Sequence, residues 1–285
     1  MRSAVRDPRR ALRRRILLGT AGVLFVVGGV LLFGGGHPFE SVPARAARLS
    51  REHGITIGYG DPSTFYLPPF GPEAAKLEGI QMEPANLQSV SYALDGIEES
   101  LTVYPPGFVA KLVRGLFVCG DLLVDGKLAG GATGAAWFVL AAPESLGGEG
   151  IRLTAGVGVH HELSSFVLRR PNVLARWMAL EPPDWKFTTT LAEALQKDSA
   201  VDPPPETGFL SAYGSSTAEN DFNTYAERMF TQPESLRRMA CEYEAIATKL
   251  SFIVQAYAEV DANVREPLRR LGLSPSVPCD RSARR

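Results

Sequence analysis

Between residues 156 and 170 the chain reads GVGVHHELSSFVLRR. His160, His161 and Glu162 stand in a row, with Ser164 and Ser165 just beyond. On a helix, residues four apart share a face. Two imidazoles at that spacing grip one metal ion, and a glutamate beside the first acts on the bound water. Zinc brings the pKa of such water from about 15.7 to about 7, which supplies a nucleophile at neutral pH. Here His161 holds the first ligand position and Glu162 the base position, but the second ligand position is Ser165. A serine hydroxyl is a poor zinc ligand unless deprotonated. His160 is no simple substitute, because one residue is about 100° of helical rotation.

The chain has only four histidines, at 37, 53, 160 and 161. A second imidazole on the same ion would have to be His53 or, less readily, His37. Carboxylates or Cys119 could fill the position instead. A second chemistry-bearing stretch is GFLSAYGSSTAENDFNTYAERMF, 208–230. It reads as a loop with Tyr213, then a helix capped by Ser216 or Thr217, with Glu219 close behind. Read plainly, it is an ordinary capped helix with Phe222, Ala226 and Phe230 in the core.

Taken together and in this order, the two segments resemble the gluzincin-type zinc metallopeptidases, and most specifically the anthrax lethal-factor-like group. The resemblance covers roughly 100–230 and departs from the family's pattern at Ser165. It implies that His161 is a zinc ligand and Glu162 the general base. Tyr213-Gly214 matches a Tyr-Gly turn whose tyrosine stabilises the reacting oxyanion. The third ligand falls among Glu219, Asn220 and Asp221. An ungapped register from Tyr213 lands on Asn220, and a one-residue shift offers Glu219 or Asp221, with Glu219 favoured for reach. His160, His53 and Ser165 are the alternative metal donors. The implied cofactor is zinc, the implied reaction metal-assisted hydrolysis of a peptide or protein substrate. The alternative is a catalytically inactive relative that binds a peptide or envelope protein.

Other chemistries find no support. There is no G-x-x-x-x-G-K-[ST], GGATG at 130–134 lacks the G-x-G-x-x-G spacing, and no G-x-S-x-G elbow surrounds Ser164 or Ser165. Net charge is −1, yet residues 1–15 carry seven arginines against Asp7 alone, which leaves −7 on the rest. A body of that sign has no basic face for nucleic acid.

The arginines precede ILLGTAGVLFVVGGVLLF, 16–33, which is 18 residues without a charge. That is about 27 Å of helix, enough to cross a bilayer. Basic residues on one flank only place the N-terminus in the cytoplasm and the main domain outside it, periplasmic or at the cell surface. A cleaved signal peptide is the rival reading, with Ala44-Arg45-Ala46-Ala47 as a distant cut site, and the RRRILL start weakly resembles a twin-arginine export signal. The length of the apolar run favours an uncleaved anchor. Of the three cysteines, 119, 241 and 279, no two form a CxxC. One disulfide with one thiol left over fits an exported domain, and three buried thiols fit a reducing one.

The elements that must position these residues follow from periodicity. Residues 34–50 read as a linker, 51–273 as the zincin-like domain and 274–285 as a flexible tail. Residues 51–80 look irregular. Leu87, Val90, Leu94, Ile97 and Leu101 recur at spacings of three and four, which predicts a helix over 86–101. LFVCGDLLV, Asp125-Gly126 and KLAGG predict strands joined by a tight turn, with AAWFVLAA as another strand. GIRLT, 150–154, reads as a further short strand before the His160–Arg170 helix, which Pro171 stops. The chain is helical from 217, with Glu234–Val260 as one long amphipathic helix. The expected fold is α+β: a short antiparallel sheet, the helix bearing the site, and C-terminal helices.

Overall fold

The computed structural model describes residues 40–66, 70, 79–188, 193–194 and 201–274. The apolar stretch 16–33, His37, Cys279 and the tail beyond Ser274 lie outside the described residues. Among those described, no helix is long and apolar enough to cross a membrane.

The fold is α+β. In chain order the elements are α1 (Val42–His53), β1 (Thr56–Tyr59), β2 (Ile80–Met82), α2 (Leu87–Leu101), β3 (Gly115–Cys119), β4 (Leu122–Val124) and β5 (Lys127–Leu128). Then come β6 (Gly131–Thr133), β7 (Trp137–Ala141), α3 (Gly147–Leu168), α4 (Val173–Met178), α5 (Ala218–Thr231), α6 (Pro233–Glu242), α7 (Glu244–Val260) and α8 (Arg265–Arg270).

The main sheet has the order β1-β3-β7-β6. It is mixed rather than antiparallel: β1, β3 and β7 run parallel and only β6, at the edge, opposes its neighbour. Strands buried on both faces read as continuous apolar runs. GLFVC in β3 and WFVLA in β7 are buried at every position. The predicted run LFVCGDLLV is in fact two strands in two sheets, since β4 pairs with β2 and β5 in a separate three-stranded antiparallel sheet. The Asp125-Gly126 turn does join β4 to β5, with φ of 51° and 72°, the left-handed pair that a two-residue hairpin requires.

Helix α2 matches the predicted 86–101 and is capped by Asn86, whose side chain accepts from the Ser89 amide. Residues 150–154 are not a strand. They are the first half of α3, where Ile151, Ala155, Val159 and Leu163 are buried at a spacing of four. Glycines made that stretch look unlike a helix, and packing explains them. A Cβ on Gly96 of α2 would lie 1.9 Å from the Arg152 carbonyl of α3, and Ser100 Oγ donates to the Gly156 carbonyl at 2.9 Å. The two helices cross at backbone contact.

The stretch 34–50 is not all linker. Its second half begins α1, capped by Ser41. Arg45 pairs with Asp95 and Glu98 on α2 at 2.5 and 2.6 Å, and Arg48 pairs with Glu98 at 2.8 Å. Residues 51–80 contribute β1, and the long helix expected over Glu234–Val260 is divided by Tyr243, whose φ and ψ of −123° and 116° are extended. Helix α3 ends at Leu168, and the chain resumes as α4 after Asn172 turns at φ 66°. Cys119 is a buried free thiol, pushed up to about 12 by burial, and Cys241 is disulfide-bonded.

Candidate functional site

Helix α3 presents the His161-Glu162 pair at the junction of edge strand β6 and helix α5. Gly131 is what lets β6 come so close. A Cβ there would stand 2.3 Å from Glu162 Oε1. Two residues along, the Thr133 hydroxyl donates to Glu162 Oε2. Glu162 is buried, and this burial raises its pKa above the usual carboxylate value, against the opposing pull of the His161 charge and the Thr133 hydrogen bond.

His161 keeps 18% of its side chain exposed and is held by α5, with Nδ1 2.5 Å from Glu227 Oε1. Burial alone would lower the imidazole pKa. The Glu227 hydrogen bond and the charges of Glu227, Glu162 and Glu219 overturn that and raise it to about 9. At neutral pH His161 is therefore an imidazolium in an ion pair. His160 points elsewhere, as helical rotation requires. Its Nδ1 is 2.8 Å from the Tyr104 hydroxyl, its ring stacks 4.7 Å from Phe230, and burial lowers its pKa to about 3. It is a neutral core histidine.

The position one turn beyond His161 is the decisive one. Ser165 is 2% exposed, and its hydroxyl accepts from Asn223 Nδ2 of α5 at 3.0 Å. Asn223 Oδ1 in turn lies against the Ser164 hydroxyl. The two helices are thus joined here by a neutral amide–hydroxyl network.

Of the three residues expected to supply a third ligand, Glu219 is a charged neighbour of both His161 and Glu162. Glu219 is ion-paired with Arg169 at 3.1 Å, near the surface. Asn220 donates to Ser216 Oγ at 2.8 Å, and its amide is capped by Thr217. Asp221 turns into the core, fully buried, and pairs with Lys249 of α7 at 2.8 Å. The residue that reaches the ligand position is Asn223. The tyrosine of the Tyr-Gly turn does arrive: the Tyr213 ring lies 6.2 Å from the His161 ring. His53 ends α1, where its charged neighbours are Glu52, Glu98 and Arg48, none of them on α3 or α5.

Thr133, Asn223 and Glu227 were missed in the sequence. One signal was there: Glu219, Asn223 and Glu227 recur at a spacing of four, which puts them on one stripe of α5. Asp221 is two residues, about 200°, off that stripe.

Catalytic zinc takes three protein donors drawn from imidazole, carboxylate and thiolate. His161 is surrounded by the carboxylates of Glu162, Glu219 and Glu227, and one turn beyond it a hydroxyl and an amide are bonded to each other. Ligands must be deprotonated to bind. The i+4 position carries a serine hydroxyl bonded to Asn223 where a second imidazole would stand. Among the described residues, no group of three or more His, Cys, Asp or Glu is placed to hold a metal ion.

Compared with family models, curated proteins and solved structures, the chain matches none of them.

Proposed function

We propose that this chain is a zincin-derived, membrane-tethered domain that binds extended polypeptide segments and does not hydrolyse them. The N-terminal basic and apolar stretch is its anchor, with the domain on the extracytoplasmic side. The zincin ancestry is supported by the order of parts: an antiparallel edge strand, β6, then a buried strand, then a helix with His-Glu on its sheet-facing side, then a second helix packed across it.

The observation that carries the loss of hydrolysis is the Asn223–Ser165 hydrogen bond, which fills the ligand position with uncharged groups bonded to each other. Peptide binding is supported by the free edge of β6. Gly134 donates to the Trp137 carbonyl at 2.8 Å and Gly130 accepts from the Ala141 amide at 2.9 Å. By alternation, Gly131 and Thr133 turn their backbone groups away from β7, and no described strand pairs with them. An extended chain adds to such an edge through main-chain hydrogen bonds. His161, next along α3 from the Glu162 that β6 meets, pairs with Glu227 and lies 6.2 Å from the Tyr213 ring.

One observation favours a second reading, zinc-assisted peptide hydrolysis with an altered ligand set. Glu227 on Nδ1 of His161 is the kind of carboxylate partner that orients metal-bound imidazoles.

The test uses full-length protein in detergent, with metal content measured by mass spectrometry and peptide binding by fluorescence anisotropy. Binding should survive chelator and be lost in Thr133→Pro, which removes an outward N–H from an edge where proline is otherwise tolerated. Stoichiometric zinc, or peptide cleavage abolished by Glu162→Gln, would replace this reading with the second.

A further inference from the structure

We propose that Glu181, Asp221 and Lys249 form a one-proton clasp that fastens segment 181–188 over the Tyr213–Ser216 turn, and that losing the proton releases that segment. The three groups meet from three parts of the chain. Lys249 Nζ on α7 donates to Glu181 Oε2 at 2.7 Å and to Asp221 Oδ2 at 2.8 Å. The side chains of Lys249 and Asp221 are 0% exposed and that of Glu181 is 6% exposed. The ammonium also sits 4.3 Å over the Phe209 ring and 5.3 Å from that of Trp177, so no water surrounds it on those sides.

Two carboxylates against one ammonium would bury an uncompensated negative charge, which an interior does not tolerate. The other two oxygens, Glu181 Oε1 and Asp221 Oδ1, are buried and accept no hydrogen bond from the described residues. The two carboxyl groups are held on the same ammonium, at 2.7 and 2.8 Å from Lys249 Nζ. A single proton held by the carboxyl pair cancels the excess charge. Its seat is Asp221. Burial pushes that carboxyl well above its ordinary range, Lys249 opposes the push, and Glu181 reinforces it.

The other charged or titratable neighbours do not replace the proton. Tyr225 of α5 feels both carboxylates and stays neutral, its pKa raised by burial. Arg228 of the same helix donates to the Leu210 carbonyl at 2.7 Å. Glu206, also acidic, lines a cavity of about 470 Å³ with Glu181.

Beyond Glu181 the segment lies across the turn that carries Tyr213. Trp185 Nε1 donates to the Ser215 carbonyl at 2.8 Å and packs 4.5 Å from Phe209. The Thr188 amide and hydroxyl both donate to the Ser216 carbonyl, at 2.8 and 2.9 Å. The clasp therefore holds one side of the cleft through the Tyr213 turn.

The sign of the pH effect follows from linkage. The fastened state keeps a proton that the released state gives up, so raising pH favours release. The test is hydrogen exchange read by mass spectrometry on the full-length protein at about pH 6 and about pH 9.5, corrected for the intrinsic pH dependence. Amides 185–188 should lose about tenfold or more of their protection at the higher pH beyond any loss in α3, where His161 also titrates. Glu181→Gln should hold the segment at both pH values, because its amide N–H donates to Asp221 permanently while its carbonyl still accepts from Lys249. Asp221→Asn makes the same substitution from the other side if the first variant folds poorly. Equal protection at both pH values in the wild type, equal loss in α3, or a wild-type-like drop in a folded variant would each overturn the clasp.

Discussion

Asn223 of α5 stands 3.0 Å from Ser165 of α3, amide to hydroxyl, at the place where a second helix would meet the i+4 position of a His-Glu metal motif. The pair is buried, with Ser165 and Asn223 each 2% exposed. It joins α3 to α5 through uncharged polar groups.

If that contact occupies a ligand position, restoring donors should restore metal. Ser165→His combined with Asn223→Glu supplies an imidazole and a carboxylate around His161. The double variant should bind about one equivalent of zinc after dialysis, and the wild type less than about a tenth, measured by plasma mass spectrometry. Failure of the folded double variant to take up zinc would mean that α3 and α5 are spaced wrongly for an ion.

Removing the amide should cost stability. Asn223→Leu strands the Ser165 hydroxyl in the interior, while the Ser164 hydroxyl keeps its bond to the His161 carbonyl. An unmet buried polar group costs about 1–3 kcal/mol, so the urea midpoint should fall by a matching amount with an unchanged slope.

The His161–Glu227 pair should be visible in titration. The imidazole is expected to titrate near 9 by NMR. In Glu227→Gln burial dominates, and the value should drop below the ordinary histidine range. Because the folded value is raised, the stabilisation is complete below about pH 6.5 and fades as pH rises through the folded value. Unfolding measured against pH should therefore decline across that window in the wild type and stay flatter in the variant. His160, lowered to about 3, should remain neutral throughout.

Two glycines should respond differently. Gly96→Ala puts a methyl 1.9 Å from a carbonyl oxygen in the α2–α3 crossing and should destabilise by about 3 kcal/mol or more in thermal unfolding. Gly131→Ala meets the Glu162 carboxylate, 2.3 Å away, at the free edge. Its larger effect should be on peptide affinity in the anisotropy assay.

The legible parts of the sequence were those with local causes. Helix α2 followed from its apolar period, the Asp125-Gly126 hairpin from turn stereochemistry, and the separation of His160 from His161 from helical rotation. What escaped depended on distant partners. Helix α1 is rich in arginine and alanine, and its charges find their acids some fifty residues later on α2. The first half of α3 reads as a strand because its glycines answer to distant neighbours, Gly148 to Tyr92, Gly156 to Gly96 and Ser100, and Gly158 to Leu140. Asp221 looked like a donor in a one-dimensional register, yet Lys249 already claims it. Whether the third position would be met at 219, 220, 221 or 223 was decided by how α5 lies on α3.

The bare crossing of α2 and α3 has a mechanical meaning. With main chain pressed on main chain, there is no side-chain cushion to let one rod slide or roll past the other. The helix that carries His161 and Glu162 is thus braced against α2 at this crossing.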